Sequence, residues 1–420
     1  MSFWTRGALA AAAALVFACS SSSGSSGVAS ITVDDFPHVP ALVVFHHPDG
    51  TVQCSSTIDP GATVRATIIP GSLVTIARRY DGGGSPMWFL QTIAGLEPGD
   101  AIRFPAAGAG SYPAGTATVV LPASSGTSRY RVDLGCGSSE WTTSVADPLP
   151  APIYEPACGT TVDVLATALD PNGVPSAYAA ALGVPVSRGS ASATVGTWEP
   201  AATTSLALTN APPGTVDVRV VLEPRRNGVL FTSSVAGAYA PLAGGGSTTQ
   251  TFVYPAAFAT SARRTVTVDF STDRPVQSSG QLVDEVSYAP ATLDLSASLP
   301  PRLSNLRVTS VAGSLTAAWE EAASDTSLDA ITLSVSWSGF EGDYTWSVLM
   351  PPGATSFAFP LLPAELAGSL PPDGAIFGVV TTLDLADTDS YRAFRRQQAS
   401  FQLGVGDAPS SLRYSTAWAW

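Results

Sequence analysis

The sequence predicts an all-β protein: tandem β-sandwich domains behind an apolar N-terminal segment and a flexible tether. Three observations lead there. Short runs rich in Val, Ile, Thr and aromatic residues recur along the chain, each bounded by Gly, Pro, Asp or Ser. No segment sustains a 3.6-residue apolar period over about ten residues, so helix is scarce. Apolar residues make up 45% of the chain and charged residues only 13%, enough apolar surface to build real cores. The residues beyond the N-terminal segment amount to two to four domains at roughly 100–200 residues each.

The first element is the run Ala8 to Ala18, preceded by the single charge Arg6. It is too short to span a bilayer, which takes ~20 apolar residues, but suits the core of a signal peptide. Leu15-Val16-Phe17-Ala18-Cys19 closes it, and this pattern resembles the lipobox of bacterial lipoproteins. The resemblance implies cleavage before Cys19, acylation of its thiol, and attachment to a membrane through lipid. Ser20, rather than Asp, follows the cysteine, which in lipoproteins of the enteric type implies the outer membrane. Ser20 to Gly27 is a flexible Ser/Gly tether.

From Val28 the strand signal takes over. Ala41–Phe45, Thr63–Ile68, Leu73–Ala77, Met87–Ile93, Thr116–Leu121 and Arg129–Leu134 read as strands, with turns at Pro48-Asp49-Gly50 and Asp59-Pro60-Gly61. Gly95 to Asp100 reads as a turn feeding a further strand. The stretch from Val43 to Ile76 resembles a carboxypeptidase-regulatory, transthyretin-like sandwich. Further on, Thr161–Leu169 alternates, and Val216, Val218, Val220 and Leu222 lead through Asn227-Gly228 into Val229-Leu230-Phe231. Asn-Gly is the preferred pair where both turn residues need positive φ. Leu303, Leu306, Val308, Leu315, Ala317 and Trp319 resemble the first two strands of a fibronectin type III domain, with Trp319 as its core tryptophan. Ile331 to Trp337 and Tyr344 to Met350 form the expected hairpin, and Ala375 to Leu383 a later strand. Ala177–Leu182 and Pro363–Ala367 are the two places where a helical turn or two is expected. The final Trp418-Ala419-Trp420 is expected to end an edge strand, since frequent Pro and Gly forbid the long regular strands of a membrane barrel.

The expected division is therefore a signal peptide over 1–18, a tether over 19–27, a transthyretin-like sandwich over 28–149, a second sandwich over 150–299 and a fibronectin-like sandwich over 300–420. As a whole the chain resembles the secreted multi-domain lipoproteins of Gram-negative bacteria with GC-rich genomes. The absence of lysine fits such a genome, all 20 basic residues being arginine.

The net charge is −13, and loss of Arg6 with the signal leaves 19 basic against 33 acidic residues. Such a surface repels nucleic acid and anionic headgroups. Of the four cysteines, Cys19 is assigned to lipid, and Cys136 with Cys158 is the expected disulfide; Cys54 is left as a buried thiol. No Cys/His spacing suggests zinc. His38, His46 and His47, with Asp34, Asp35 and Asp49, are the one cluster with acid–base potential. Adjacent strand residues face opposite ways, however, so His46 and His47 read as an exposed pair beside a loop. Asp384, Asp387 and Asp389 are calcium candidates, being three carboxylates in one turn. No nucleophile elbow, phosphate loop or dinucleotide fingerprint occurs. Glu320-Glu321 beside Trp319 are carboxylates at a strand end, where a solvated loop is the expected reading. No cofactor is implied.

The expected function is non-catalytic adhesion, scaffolding or ligand presentation at the cell envelope, with a protein or glycan partner and no nucleic acid. The alternatives are a carbohydrate-binding array, with Trp141 and Trp198 as platforms, and an envelope hydrolase with an unrecognised carboxylate pair.

Overall fold

A computed structural model describes residues 26–34, 39–81, 86–104, 112–136, 139–155, 158–231, 236–270, 277–311, 313–339, 342–371, 376–397 and 411–419. The signal segment, Cys19, Ser20, Asp35, His38 and Trp420 lie outside them. The protein is all-β, with two short α-helices and one 3₁₀ turn among the described residues.

Strand pairing sorts the chain into four sandwiches. The first holds β1 (Gly27–Val33), β2 (Ala41–His46), β3 (Val52–Ile58), β4 (Thr63–Ile68), β5 (Ser72–Tyr80), β6 (Met87–Leu96) and β7 (Ala101–Phe104). Its layers run β4-β1-β7 and β3-β2-β5-β6. The second holds β8 (Tyr112–Val120), β9 (Arg129–Asp133), β10 (Ser139–Thr142), β11 (Leu149–Glu155), β12 (Thr161–Leu169), β13 (Pro175–Pro185), β14 (Ser190–Thr194) and the short β15 (Glu199–Pro200). Its layers run β11-β8-β14 and β10-β9-β12-β13-β15. The third holds β16 (Ala202–Thr209), β17 (Thr215–Arg226), β18 (Val229–Leu230), β19 (Ala236–Pro241), β20 (Thr248–Tyr254), β21 (Ser261–Phe270), β22 (Gln277–Ser287) and β23 (Ala291–Asp294), then α1 (Leu295–Ser298). Its layers are β20-β16-β23 and a four-strand run in which β17 pairs with β19 and β21, and β21 with β22.

These three share one plan. In each, the opening strand pairs antiparallel with a later strand of the unit and parallel with the last strand of its layer, as β1 does with β4 and β7. The same holds for β8 with β11 and β14, and for β16 with β20 and β23. The architecture repeats although no fixed period is visible in the residues, because burial alternation and turns specify the plan without fixing side-chain identity. The break expected at 149/150 runs through the second sandwich, where β11 pairs with β8 along its length.

The fourth sandwich is built differently. It holds β24 (Leu303–Val311), β25 (Ser314–Glu321), β26 (Ala330–Gly339), β27 (Gly342–Met350), β28 (Ser356–Ala358), a 3₁₀ turn (Ala364–Ser369), β29 (Phe377–Leu385), α2 (Tyr391–Gln397) and β30 (Ser411–Ala419). Its layers run β24-β25-β28 and β27-β26-β29-β30.

One sheet of 13 strands passes through three of the four units, in the order β18-β17-β21-β22-β30-β29-β26-β27-β6-β5-β2-β3, with β19 also on β17. The fourth sandwich therefore sits between the third and the first. The junction with the first is the parallel pairing of β27 with β6, from Asp343↔Met87 to Leu349↔Ile93. The junction with the third is β30, which pairs with β29 on one side and β22 on the other. The edge strand expected at the C-terminal end is thus interior. Both its faces are covered: Leu412 is buried in the core cluster of the first sandwich, and Ala417 and Ala419 in that of the fourth.

Other expectations fare unevenly. Trp319, Trp337 and Trp346 are core, at 4%, 6% and 0% exposure. Asn227 and Gly228 turn the β17–β18 hairpin at φ +49° and +82°. Ala177–Leu182 is not helical: it lies in β13, where Ala177–Ala181 pair with β12, and that pairing overrides the helix propensity of alanine. The helical turn at Ala364–Ser369 matches its expected place.

Candidate functional site

The side chains with chemical potential gather at the joints between sandwiches, chiefly where the first meets the fourth. Along β2, Val43 and Phe45 face the first sandwich's own core while Val44 and His46 face the joint, as the two-residue period requires. His46 is therefore fully buried, not an exposed loop-flanking residue. Its Nε2 lies 2.9 Å from Thr75 Oγ1, which is 2.8 Å from Thr92 Oγ1. Thr92 in turn accepts a 2.8 Å hydrogen bond from Trp346 Nε1. This buried polar chain runs from β2 through β5 and β6 into the core of the fourth sandwich. Burial pushes the His46 imidazole from 6.5 down to about 4, so it is neutral in the fold. Next to it, Leu361 N–H donates to the Gly50 carbonyl, seating the Pro48-Asp49-Gly50 turn against the fourth sandwich.

A second contact of the same joint is α2, which docks on the Gly95–Asp100 turn. Phe394 is buried in the first sandwich's core. The Tyr391 hydroxyl lies 2.8 Å from the Ala94 carbonyl and 3.1 Å from that of Leu349, one on each side of the β6–β27 junction. Arg395, 3% exposed, sits 3.0 Å from Asp100, 4% exposed, and also donates to the Gly95 carbonyl. Asp100 further accepts from the Glu97 backbone N–H, and Arg392 approaches it at 3.5 Å. A buried pair with its spare lone pairs satisfied is the form in which burying charge is tolerable.

The second and third sandwiches meet differently. The Asn227-Gly228 hairpin lays Val229 and Phe231 on Gly135, where an added Cβ would fall within 2.6–2.9 Å of them. Arg226 pairs with Asp163 at 3.4 Å. Beside this contact lies a cavity of about 240 Å³ between β13 and the turn Pro255–Phe258. Tyr178 and Leu165 line it, with Glu199 as its one carboxylate among the described lining residues. A single carboxylate cannot supply the acid and base that glycoside hydrolysis requires.

A carboxylate pair that sequence reasoning missed lies elsewhere. Asp217 on β17 and Asp269 on β21 stand opposite each other and share a hydrogen bond; burial, then Asp217, holds the Asp269 carboxyl above its ordinary value. Both occupy outward positions of alternating strands, so each was visible as a surface acid, but their register was not. Directly bonded carboxyls leave no room for a sugar ring, which needs ~5–9 Å between them.

The expected site residues separate. Cys136 and Cys158 form a disulfide with Cα atoms 5.1 Å apart. Cys54 is half-buried on β3 and disulfide-bonded, not a leftover buried thiol. Asp384 is turned to Arg413 and Ser327, while Asp387 and Asp389 are exposed. Among the described residues no three His, Cys, Asp or Glu side chains are placed to hold a metal ion. His47 is half-buried, Asp34 pairs with Arg103 at 2.8 Å, and Asp49 caps the turn through Thr51. Of the expected platforms, Trp198 is half-buried and donates to the Pro122 carbonyl. Trp141 is 44% exposed, with the Arg131 and Arg129 guanidinium groups 4.6 and 5.4 Å from its ring.

No protein-family model matches the chain, and no curated protein matches it. Among solved structures, a candidate adhesin from Bacteroides ovatus is 12% identical over 43% of this chain and 89% of its own, with a TM-score of 0.18. The pilus adhesin SpaC of Lactobacillus rhamnosus is 8% identical over 78% of this chain and 44% of its own, at 0.14. The major pilin T-13 of Streptococcus pyogenes is 6% identical over 78% of this chain and 96% of its own, at 0.09. At these TM-scores the likenesses carry no functional argument.

Proposed function

We propose that this is a non-catalytic lipoprotein of the cell envelope, held at the outer membrane by lipid on Cys19. There it serves in adhesion, scaffolding or ligand presentation. The observation that carries the reading is the 13-strand sheet running through three sandwiches, with His46, Asp100 and Arg395 spent on its joints. Side chains that elsewhere perform acid–base work here fasten one unit to the next. The strand orders support a transthyretin-like plan for the first sandwich, repeated in the second and third, and a fibronectin type III plan for the fourth.

The chain has four cysteines, of which Cys136 and Cys158 are joined. The lipid reading needs the Cys19 thiol, so a non-reducing peptide map that joins Cys19 to Cys54 also overturns it. Growth of the producing cells with an alkyne fatty acid tests the anchor. Labelled protein that partitions into detergent, with label lost in Cys19→Ser, supports it. Unlabelled protein that washes off membranes without detergent overturns it.

A further inference from the structure

The outward face of the long sheet across the β6–β27 junction differs from the rest of this acidic chain. Cross-strand partners share a face, so the pairing defines its rows. One row runs Tyr80, Met87, Asp343 and Ser338 over β5, β6, β27 and β26. The next runs Arg78, Phe89, Thr345, Ser336 and Phe377. A third reads Gln91, Ser347, Ser334, Val379, Trp418 and Gln277 from β6 to β22. The opposite side of the same strands carries Trp88, Tyr344, Trp337 and Trp346, the core of the joint.

Hydroxyls on the face are bonded across strands: Ser334 to Ser347 and Ser336 to Thr345, each at 3.2 Å. Large apolar groups stand open at its first-sandwich end, with Tyr80, Met87 and Phe89 41%, 40% and 39% exposed. Trp418 is half-buried at the other end, four inter-strand steps or about 19 Å from β6. Charge is confined to Asp343 and Arg78 in the first two rows, and the third row has none, in a protein of net charge −13.

We propose that this face binds an extended, uncharged polysaccharide. Rows that continue over four or more strands suit a polymer rather than a small ligand. Hydroxyls and amides exchange hydrogen bonds with sugar hydroxyls, and the exposed rings offer apolar faces to the C–H side of the sugar. The scarcity of charge selects a neutral chain over an acidic one. The face exists only where the two sandwiches are joined, so the joint builds the surface. This rests on the adhesive reading above and gives it a ligand class.

The test is depletion of the purified full-length chain onto insoluble cellulose and chitin, with soluble dextran and alginate as competitors. Retention on a neutral polymer, unaffected by salt and relieved by dextran rather than alginate, is expected. Phe89→Ala should weaken it several-fold, up to about tenfold. Gln91→Glu, an exposed position whose change leaves the core untouched, should do the same by bringing charge onto the third row. Trp141→Ala should leave retention unchanged. Absence of retention on either neutral polymer overturns the proposal, as does retention relieved by alginate and salt, or loss in Trp141→Ala alone. Protein that is acylated and membrane-held yet fails to bind glycan sinks this inference and leaves the anchoring reading standing.

Discussion

Acidification should loosen the joint between the first and fourth sandwiches through His46. The imidazole is fully buried against Thr75 and titrates at about 4 in the fold, against 6.5 for an ordinary histidine. Because the folded value is depressed, the unfolded chain takes up the proton first as pH falls. Stability is therefore complete above pH 6.5 and drains away between 6.5 and about 4. A separation of roughly 2.5 pH units at 1.36 kcal/mol each, less the partial protonation at the end point, gives about 3 kcal/mol. Urea unfolding at pH 7, 5.5 and 4, compared between wild type and His46→Gln, isolates this contribution, since the carboxylates common to both cancel. Gln is neutral throughout and can still bond Thr75. The wild type should lose about 3 kcal/mol more than the variant over that range. Parallel pH curves for the two proteins would refute the reasoning, whatever the absolute stability of either.

Arg395→Ala strips the buried Asp100 carboxylate of its closest cation. It should destabilise by about 3–5 kcal/mol in denaturant titration and raise hydrogen exchange in α2. The double change Arg395→Met with Asp100→Asn should recover much of that loss. Asp269→Asn should raise the melting temperature at pH 7. The raised Asp269 carboxyl is favourable to the fold only when protonated, so its contribution falls as pH rises through its titration, and the amide removes that loss. A variant that melts lower at pH 7 would contradict the shared-proton arrangement.

Strand positions were legible wherever local chemistry decides them. Thr63–Ile68 is β4 to the residue, and the Asn227-Gly228 turn folds as its composition demands. What the residues did not disclose is everything set by long-range partners. Nothing local in Tyr391–Gln397 distinguishes a docked helix from a loop, and its anchors Ala94, Gly95 and Asp100 lie about 300 residues away. His46 sits in a strand whose partner layers the sequence leaves unspecified, so its burial beside a turn leaves no local mark. The Ala177–Leu182 error has the same root, since alanine takes whichever backbone its neighbours pair with. Trp418 looked like the end of an edge strand because two-sided pairing leaves no local mark. Three copies of one plan went unseen because burial pattern, not identity, was repeated.

The position of β30 has a consequence for biogenesis. Ser411–Ala419 is synthesised after every other described strand, yet it occupies the middle of the sheet between β22 and β29. Until those nine residues arrive, two long strands present bare amides and carbonyls, the surface most prone to pairing with a foreign chain. The third and fourth units thus cannot be completed one after the other as they emerge. They wait for one closing zipper, and a nascent chain stalled before Ser411 is a substrate for chaperones and proteases.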